Sequence, residues 1–168
     1  MKRQLYTSVI LTLIIFSSIA AANLTSIAEV TFDKPESFND FKTQTAHNKL
    51  DKSRLMQELQ QQINETAKRY LTNGEYLKIN FLNIDMAGYI YPSIDDIRTV
   101  RQDADKSLLV FNYTLLNKDG TVINEGKERL IKLNFSSMRH EAKRYKNSHF
   151  KYEMVMFSHW LKKLSKTL

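Results

Sequence analysis

The chain reads as an α+β protein: a mainly antiparallel sheet of about four to five strands, packed by a central helix and a C-terminal helix. Three observations predict this. Residues 51–71 and 150–164 carry apolar side chains at helical spacing, while residues 77–86 and 108–133 alternate in the strand manner. A single Asp119-Gly120 pair between the last two alternating runs marks a hairpin.

The first strand is Ala28-Glu-Val-Thr-Phe32, stopped by Asp33-Lys34-Pro35-Glu36, where Pro35 suits the first turn of a short helix or a tight bend. Residues 39–48 are polar and give no clear element. In the central helix, Leu55, Met56, Leu59, Ile63 and Tyr70 share one face, and Arg54, Gln57, Gln61, Asn64, Glu65 and Lys68 lie opposite. Asn73-Gly74 supplies its left-handed stop. Leu77, Ile79 and Phe81 then alternate with Lys78 and Asn80. The apolar phase slips to Leu82, Ile84 and Met86, which implies a bulge near Phe81-Leu82 or a strand covered on both faces. Ile97-Arg-Thr-Val-Arg101 is a possible short strand. Leu109, Phe111, Tyr113 and Leu115 share a side, and residues 121–133 return as the partner strand, with Gly126 at a bulge or a close backbone approach. The expected order is β-α-β-β-β-β-α.

In the last helix, Phe150, Met154, Phe157, Leu161 and Leu164 recur at steps of four and three, joined by Trp160. Each such side chain contributes about 1.5–3 kcal/mol when fully buried, so the stripe belongs against the sheet. Ser148 is the expected N-cap, and Lys162, Lys163 and Lys166 suit the negative end of the helix dipole. Glu153 falls within the apolar face. A buried carboxylate is costly unless paired, so it requires peptide N–H groups or an arginine among Arg98, Arg129, Arg139 and Arg144.

Ahead of all this stands an export signal. Lys2 and Arg3 precede the apolar run from Val9 to Phe16, and Ala20-Ala21-Ala22 offers the small residues of a cleavage site, after Ala20 or Ala22. The apolar run is shorter than the roughly 20 residues that cross a bilayer. The expected organisation is a signal peptide over residues 1–22 and one domain over 23–168, with no stable membrane anchor after cleavage. There is no cysteine, which excludes disulfides, thiolate catalysis and bacterial lipid attachment.

The net charge is +7, unevenly spread: residues 23–126 hold 12 basic and 15 acidic side chains, and residues 127–168 hold 11 and 3. A basic end attracts an anionic surface or an acidic protein face. Nucleic acid is not an expected partner of an exported protein. The sequons at Asn23, Asn64, Asn112 and Asn134 read as chance.

Catalytic signatures are sparse. Four widely spaced glycines exclude a phosphate-cradling loop, and no G-x-S-x-G elbow occurs. Asp95-Asp96 and Asp103-Ala-Asp105 read as solvated turns. His140, His149 and His159 contain no i, i+4 ligand pair, so no metal and no cofactor are expected. The best candidate corner is Asp85-Met-Ala-Gly88, where Asp85, the backbone at Gly88 and Arg98 can converge. An aspartate and a glycine ending a strand also serve a plain turn.

The stretches Val30-Thr-Phe-Asp-Lys-Pro-Glu-Ser-Phe38, Leu77-Lys-Ile79, Asp85-Met-Ala-Gly88, Ile97-Arg-Thr-Val-Arg101, Asp119-Gly120, Glu125-Gly126, Arg144-Tyr145, Tyr152-Glu153 and Trp160-Leu161 stand in an order and spacing that resemble one family. It is the domain of unknown function 3016, secreted proteins of Gram-negative bacteria. Met86 stands where that family tends to have leucine. The resemblance implies the periplasm and carries no activity with it.

Two expectations follow. The first is a non-catalytic periplasmic interaction or envelope-accessory module, meeting an envelope protein or anionic surface through a sheet edge or through Lys143, Arg144, Lys146 and Lys151. The alternative is a hydrolase or small-ligand protein using Asp85, Glu153 and Arg98, or a weak binder of anionic lipid through the basic C-terminal region. The residues lean against an enzyme without deciding the matter.

Overall fold

The computed structural model describes residues 26–38, 52–90, 98–101, 104–133 and 135–167. The expected signal peptide, residues 39–48, and the acidic Asp95, Asp96 and Asp103 lie outside the described residues.

The architecture is α+β. A four-stranded sheet runs in the order β1 (Ala28–Phe32), β2 (Tyr76–Asp85), β5 (Lys106–Leu116), β6 (Val122–Leu133). β2–β5 and β5–β6 pair antiparallel, but β1 pairs parallel to β2. The sheet is therefore mixed. Strands joined through a helix return in the same direction, and α1 (Lys52–Tyr70) makes that crossover. A separate two-stranded sheet joins β3 (Tyr89–Ile90) to β4 (Arg98–Thr99). Of the strand expected over 97–101, Arg98 and Thr99 form one, outside the main sheet, while Val100 and Arg101 are not strand and Ile97 lies outside the described residues.

The phase slip in β2 is a bulge. Phe81 pairs with Phe111 and Asn83 with Val110, leaving Leu82 as the extra residue. Phe81 and Ile84 both reach the core as a result, each fully buried. In the hairpin, Gly120 adopts φ +85° and accepts no strain there. The register shift beside Leu115 leaves Ile123 as the extra residue on β6. Gly126 is instead a site of close approach. It pairs with Tyr113, and a Cβ there would sit 3.3 Å from the Tyr113 ring.

One face of the sheet carries both helices. α3 (Lys151–Leu164) buries Phe157, Trp160 and Leu161 against β5. Trp160 stands edge-on to Phe111 at 4.9 Å and to Tyr113 at 5.0 Å, and Phe157 lies 6.1 Å from Phe111. α1 contributes Leu55, Leu59, Ile63 and Ala67 to the same core. A smaller cluster forms under the short helix α2 (Arg139–Ala142), where Phe135, Met138 and Ala142 meet Tyr152, Val155 and Met156. Leu130 and Tyr145 touch both clusters.

Polar contacts pin the helices to each other. α3 opens at Phe150, not Ser148. Ser148 acts one step earlier, its hydroxyl oxygen accepting the Phe150 N–H at 2.8 Å. Glu58 of α1 receives the Ser148 hydroxyl at 2.8 Å, the His149 N–H at 2.9 Å and, on its other oxygen, the His149 ring at 2.7 Å. Asn64 accepts the Ile27 N–H at 2.9 Å, tying α1 to the start of β1. Tyr70 and Ser158 meet at 3.0 Å.

Burial pushes the Glu58 carboxyl up. The His149 ring, the Ser148 hydroxyl, the His149 N–H and the His149 charge together outweigh that and hold it below its ordinary value of 4.5. A carboxyl depressed in the folded state stabilises the fold above the unfolded value, and this contribution is lost as pH falls through the folded one. Urea unfolding across a pH series should therefore show the midpoint dropping below about pH 4.5. Glu58→Gln should be less stable at neutral pH and should flatten that acid limb.

Candidate functional site

Glu153 projects from the first turn of α3 into the protein and is 1% exposed. One of its oxygens, Oε1, accepts the Ala87 N–H at 3.0 Å and the Ser107 hydroxyl at 2.7 Å. Of the two kinds of partner the sequence allowed, the structure supplies a peptide N–H, with a hydroxyl that was not foreseen. Of the expected arginines, Arg129, Arg139 and Arg144 are exposed and form no ion pair with it, and the side chain of Arg98 lies outside the described residues. The position of Ser107 explains the hydroxyl: it faces the core side of β5 and is fully buried, so it too requires a partner.

The Asp85–Gly88 corner is brought to Glu153 by this contact. Asp85 ends β2 opposite Leu108 and is half-buried. Met86 and Ala87 are buried, and Gly88 turns the chain at φ +95°. Only glycine adopts that backbone without strain. The corner thus ends a strand and presents one N–H inward to Glu153. Arg98 lies in β4, antiparallel to β3.

The basic residues follow the chain from α2 into α3. Lys143, Arg144 and Lys146 are exposed, and Lys151 is half-buried with its Nζ 5.1 Å from the Tyr152 ring centre. Arg144 and Lys146 border a recess shared with Glu58 and Glu65 of α1. The surface there is of mixed sign, which weakens its field.

The histidines are dispersed. His149 is bound to Glu58, and His159 lies 2.7 Å from Glu141 of α2. Asp105 is held by Arg101, taking its N–H at 2.6 Å and its guanidinium at 2.9 Å. Among the described residues no group of three or more potential metal ligands converges.

Residues 121–133 were expected as the hairpin's partner strand, and what sequence reading passed over is the apolar character of this strand's exposed edge. β6 is the end strand of the sheet, and it carries every exposed large apolar side chain among the described residues: Val122 at 56%, Ile123 at 40%, Ile131 at 47% and Leu133 at 62%. Between them lie Glu125, Lys127, Glu128, Arg129 and Lys132. Beside β6, a groove of about 820 Å³ opens toward α2 and α3, with Leu130, Lys132, Met138, Met156, Trp160 and Lys163 among its walls. The imperfect alternation of residues 122–133, with charges in both phases, was the available signal.

Replacing Glu153 tests its role. Glu153→Leu leaves the Ala87 N–H and the Ser107 hydroxyl without an acceptor, at about 1–3 kcal/mol each. Urea unfolding should show a loss of about 2–6 kcal/mol, and Ser107→Ala a smaller one. A variant as stable as the parent would contradict a structural role for the carboxylate.

Neither a curated protein nor a solved structure matches the chain. The profile of one family, described as protein of unknown function (DUF3016), matches residues 26–163. That span runs from the approach to β1 to the last turn of α3 and takes in every strand and helix described above. The chain belongs to the DUF3016 family.

Proposed function

We propose that the protein is a non-catalytic interaction module of the periplasm, and that it meets its partner through β6. The observation that carries this reading is the gathering of all four exposed large apolar side chains of the described residues on one end strand. An open edge invites pairing, and proteins guard such edges with charge. β6 carries Glu125, Lys127, Glu128 and Arg129 at its middle and Lys132 near its end, and its four exposed apolar side chains sit toward the two ends. A strand under pressure only to stay soluble would be charged throughout.

The hydrolase alternative draws little support. Glu153 is sealed from solvent and already binds two donors, so it has no open face toward a substrate. A general acid or base must come within hydrogen-bond reach of the proton it moves. For location, the support is the Lys2-Arg3 start, the apolar run and Ala20-Ala21-Ala22, together with the family resemblance.

Cross-linking in intact cells tests the reading. The double variant Ile131→Lys/Leu133→Lys should lose the cross-linked species of the parent while its thermal midpoint stays close, because both side chains are already exposed. Reversing Lys143, Arg144, Lys146 and Lys151 should leave the same species in place. The opposite pattern would move the contact to the basic surface. Osmotic shock should release a chain beginning at Asn23 or Ala21; full-length chain retained in the cytoplasm would refute the location.

A further inference from the structure

The groove beside β6 is lined by five consecutive residues of the strand, from Glu128 to Lys132. Side chains of a strand alternate between faces. A wall built from side chains of one face would skip every second residue, so a wall including Arg129 and Ile131 as well is formed by the strand's own outer edge. That edge offers main-chain N–H and C=O groups in the alternating pattern an extended backbone matches. Facing it across the groove, α3 presents Met156, Trp160, Lys163 and Leu164.

The charge of the groove has a direction. Arg129, Lys132 and Lys163 form no ion pair within 4.0 Å among the described residues, whereas Glu141 is engaged by His159 at 2.7 Å. Glu128 is the remaining carboxylate of the wall. Where the groove meets the end of α3, a second recess is lined by His159, Lys162, Lys163 and Lys166, with no acidic residue. Resting on the interaction reading of β6, we propose that the partner contributes an extended, acidic segment with alternating apolar residues. It is added as a fifth strand to the main sheet along β6. Its side chains alternate between the two faces of the sheet: the carboxylates, on the face toward α3, meet Lys132 and Lys163, and the apolar side chains, on the open face, lie beside Ile131 and Leu133. An anionic lipid would use the same cations but not the strand edge.

Trp160 is the only tryptophan of the chain and lines the groove, so its fluorescence reports occupancy directly. The probe is a capped decapeptide of alternating glutamate and valine, titrated into the purified protein. A saturable change in Trp160 emission is expected. A peptide with lysine in place of glutamate should bind roughly tenfold more weakly, from the summed effect of a few exposed charge pairs. The acidic peptide N-methylated at every residue should not bind. Lys132→Glu/Lys163→Glu should reverse the preference between the acidic and basic peptides. Four results would overturn the proposal: no response to the acidic peptide, equal binding of its N-methylated form, an unchanged preference in the double variant, or a response to phosphatidylglycerol vesicles alone. If the peptide fails while Ile131→Lys/Leu133→Lys still abolishes cross-linking, only the strand-addition model falls; if cross-linking is also indifferent to β6, the interaction reading falls with it.

Discussion

The seating of α3 on β5 governs the rest of the molecule. Phe111, Phe157 and Trp160 meet within about 6 Å of one another in edge-on and tilted arrangements, which aromatic rings prefer to flat stacking. Phe81 continues the cluster into β2 at 5.5 Å from Phe111. With α3 held there, its first turn delivers Glu153 to Ala87 and Ser107, and its last turns stand away from β6 and leave the groove. The core of the sheet and the opening beside it are two results of one helix position.

Much of the fold was legible in the chain, because it depended on local periodicity. The stripe of α3, the face of α1 and the turn at Asn117–Thr121 each follow from residues close in sequence. The bulge at Leu82 was readable for the same reason, since a shift in apolar phase has few physical causes. The parallel pairing of β1 with β2 was less accessible. The β-α-β order implies the same direction, but which strand β1 joins rests on contacts such as Asn64 with Ile27, separated by 37 residues. Ser148 misled by two residues because its hydroxyl accepts the Phe150 N–H in a short loop contact ahead of the helix end.

The functional surface was harder still. Glu153 announced itself as a polar residue on an apolar face, and the need for a partner followed from burial cost. Which partner it takes could not be read, because Ser107 looks like any serine until β5 turns it inward. Asp85 and Gly88 stood out by residue type, and their nearness to Glu153 is a product of tertiary packing. β6 was expected as a strand but not as an exposed edge, because the lack of a neighbour is a property of topology. Val122 and Leu133 look like core residues in sequence, and only the strand order shows them facing out.

The extra residue at Leu82 has a consequence for how this chain can vary. On the Tyr76 side of it, Leu77, Ile79 and Phe81 face the helices; on the Asp85 side, Ile84 takes over that duty in the opposite parity. Losing Leu82 itself would only make the ladder regular, since Asn83 already follows Phe81 in the pairing. A residue added beside it, or lost elsewhere in the strand, would throw the far half of β2 out of frame and carry the Ala87 N–H away from its carboxylate. Length changes are tolerable at the Asn117–Thr121 turn, where the glycine has open space around it. Insertions and deletions among relatives should therefore collect at the hairpin tip and, within β2, be confined to the loss of the bulge residue.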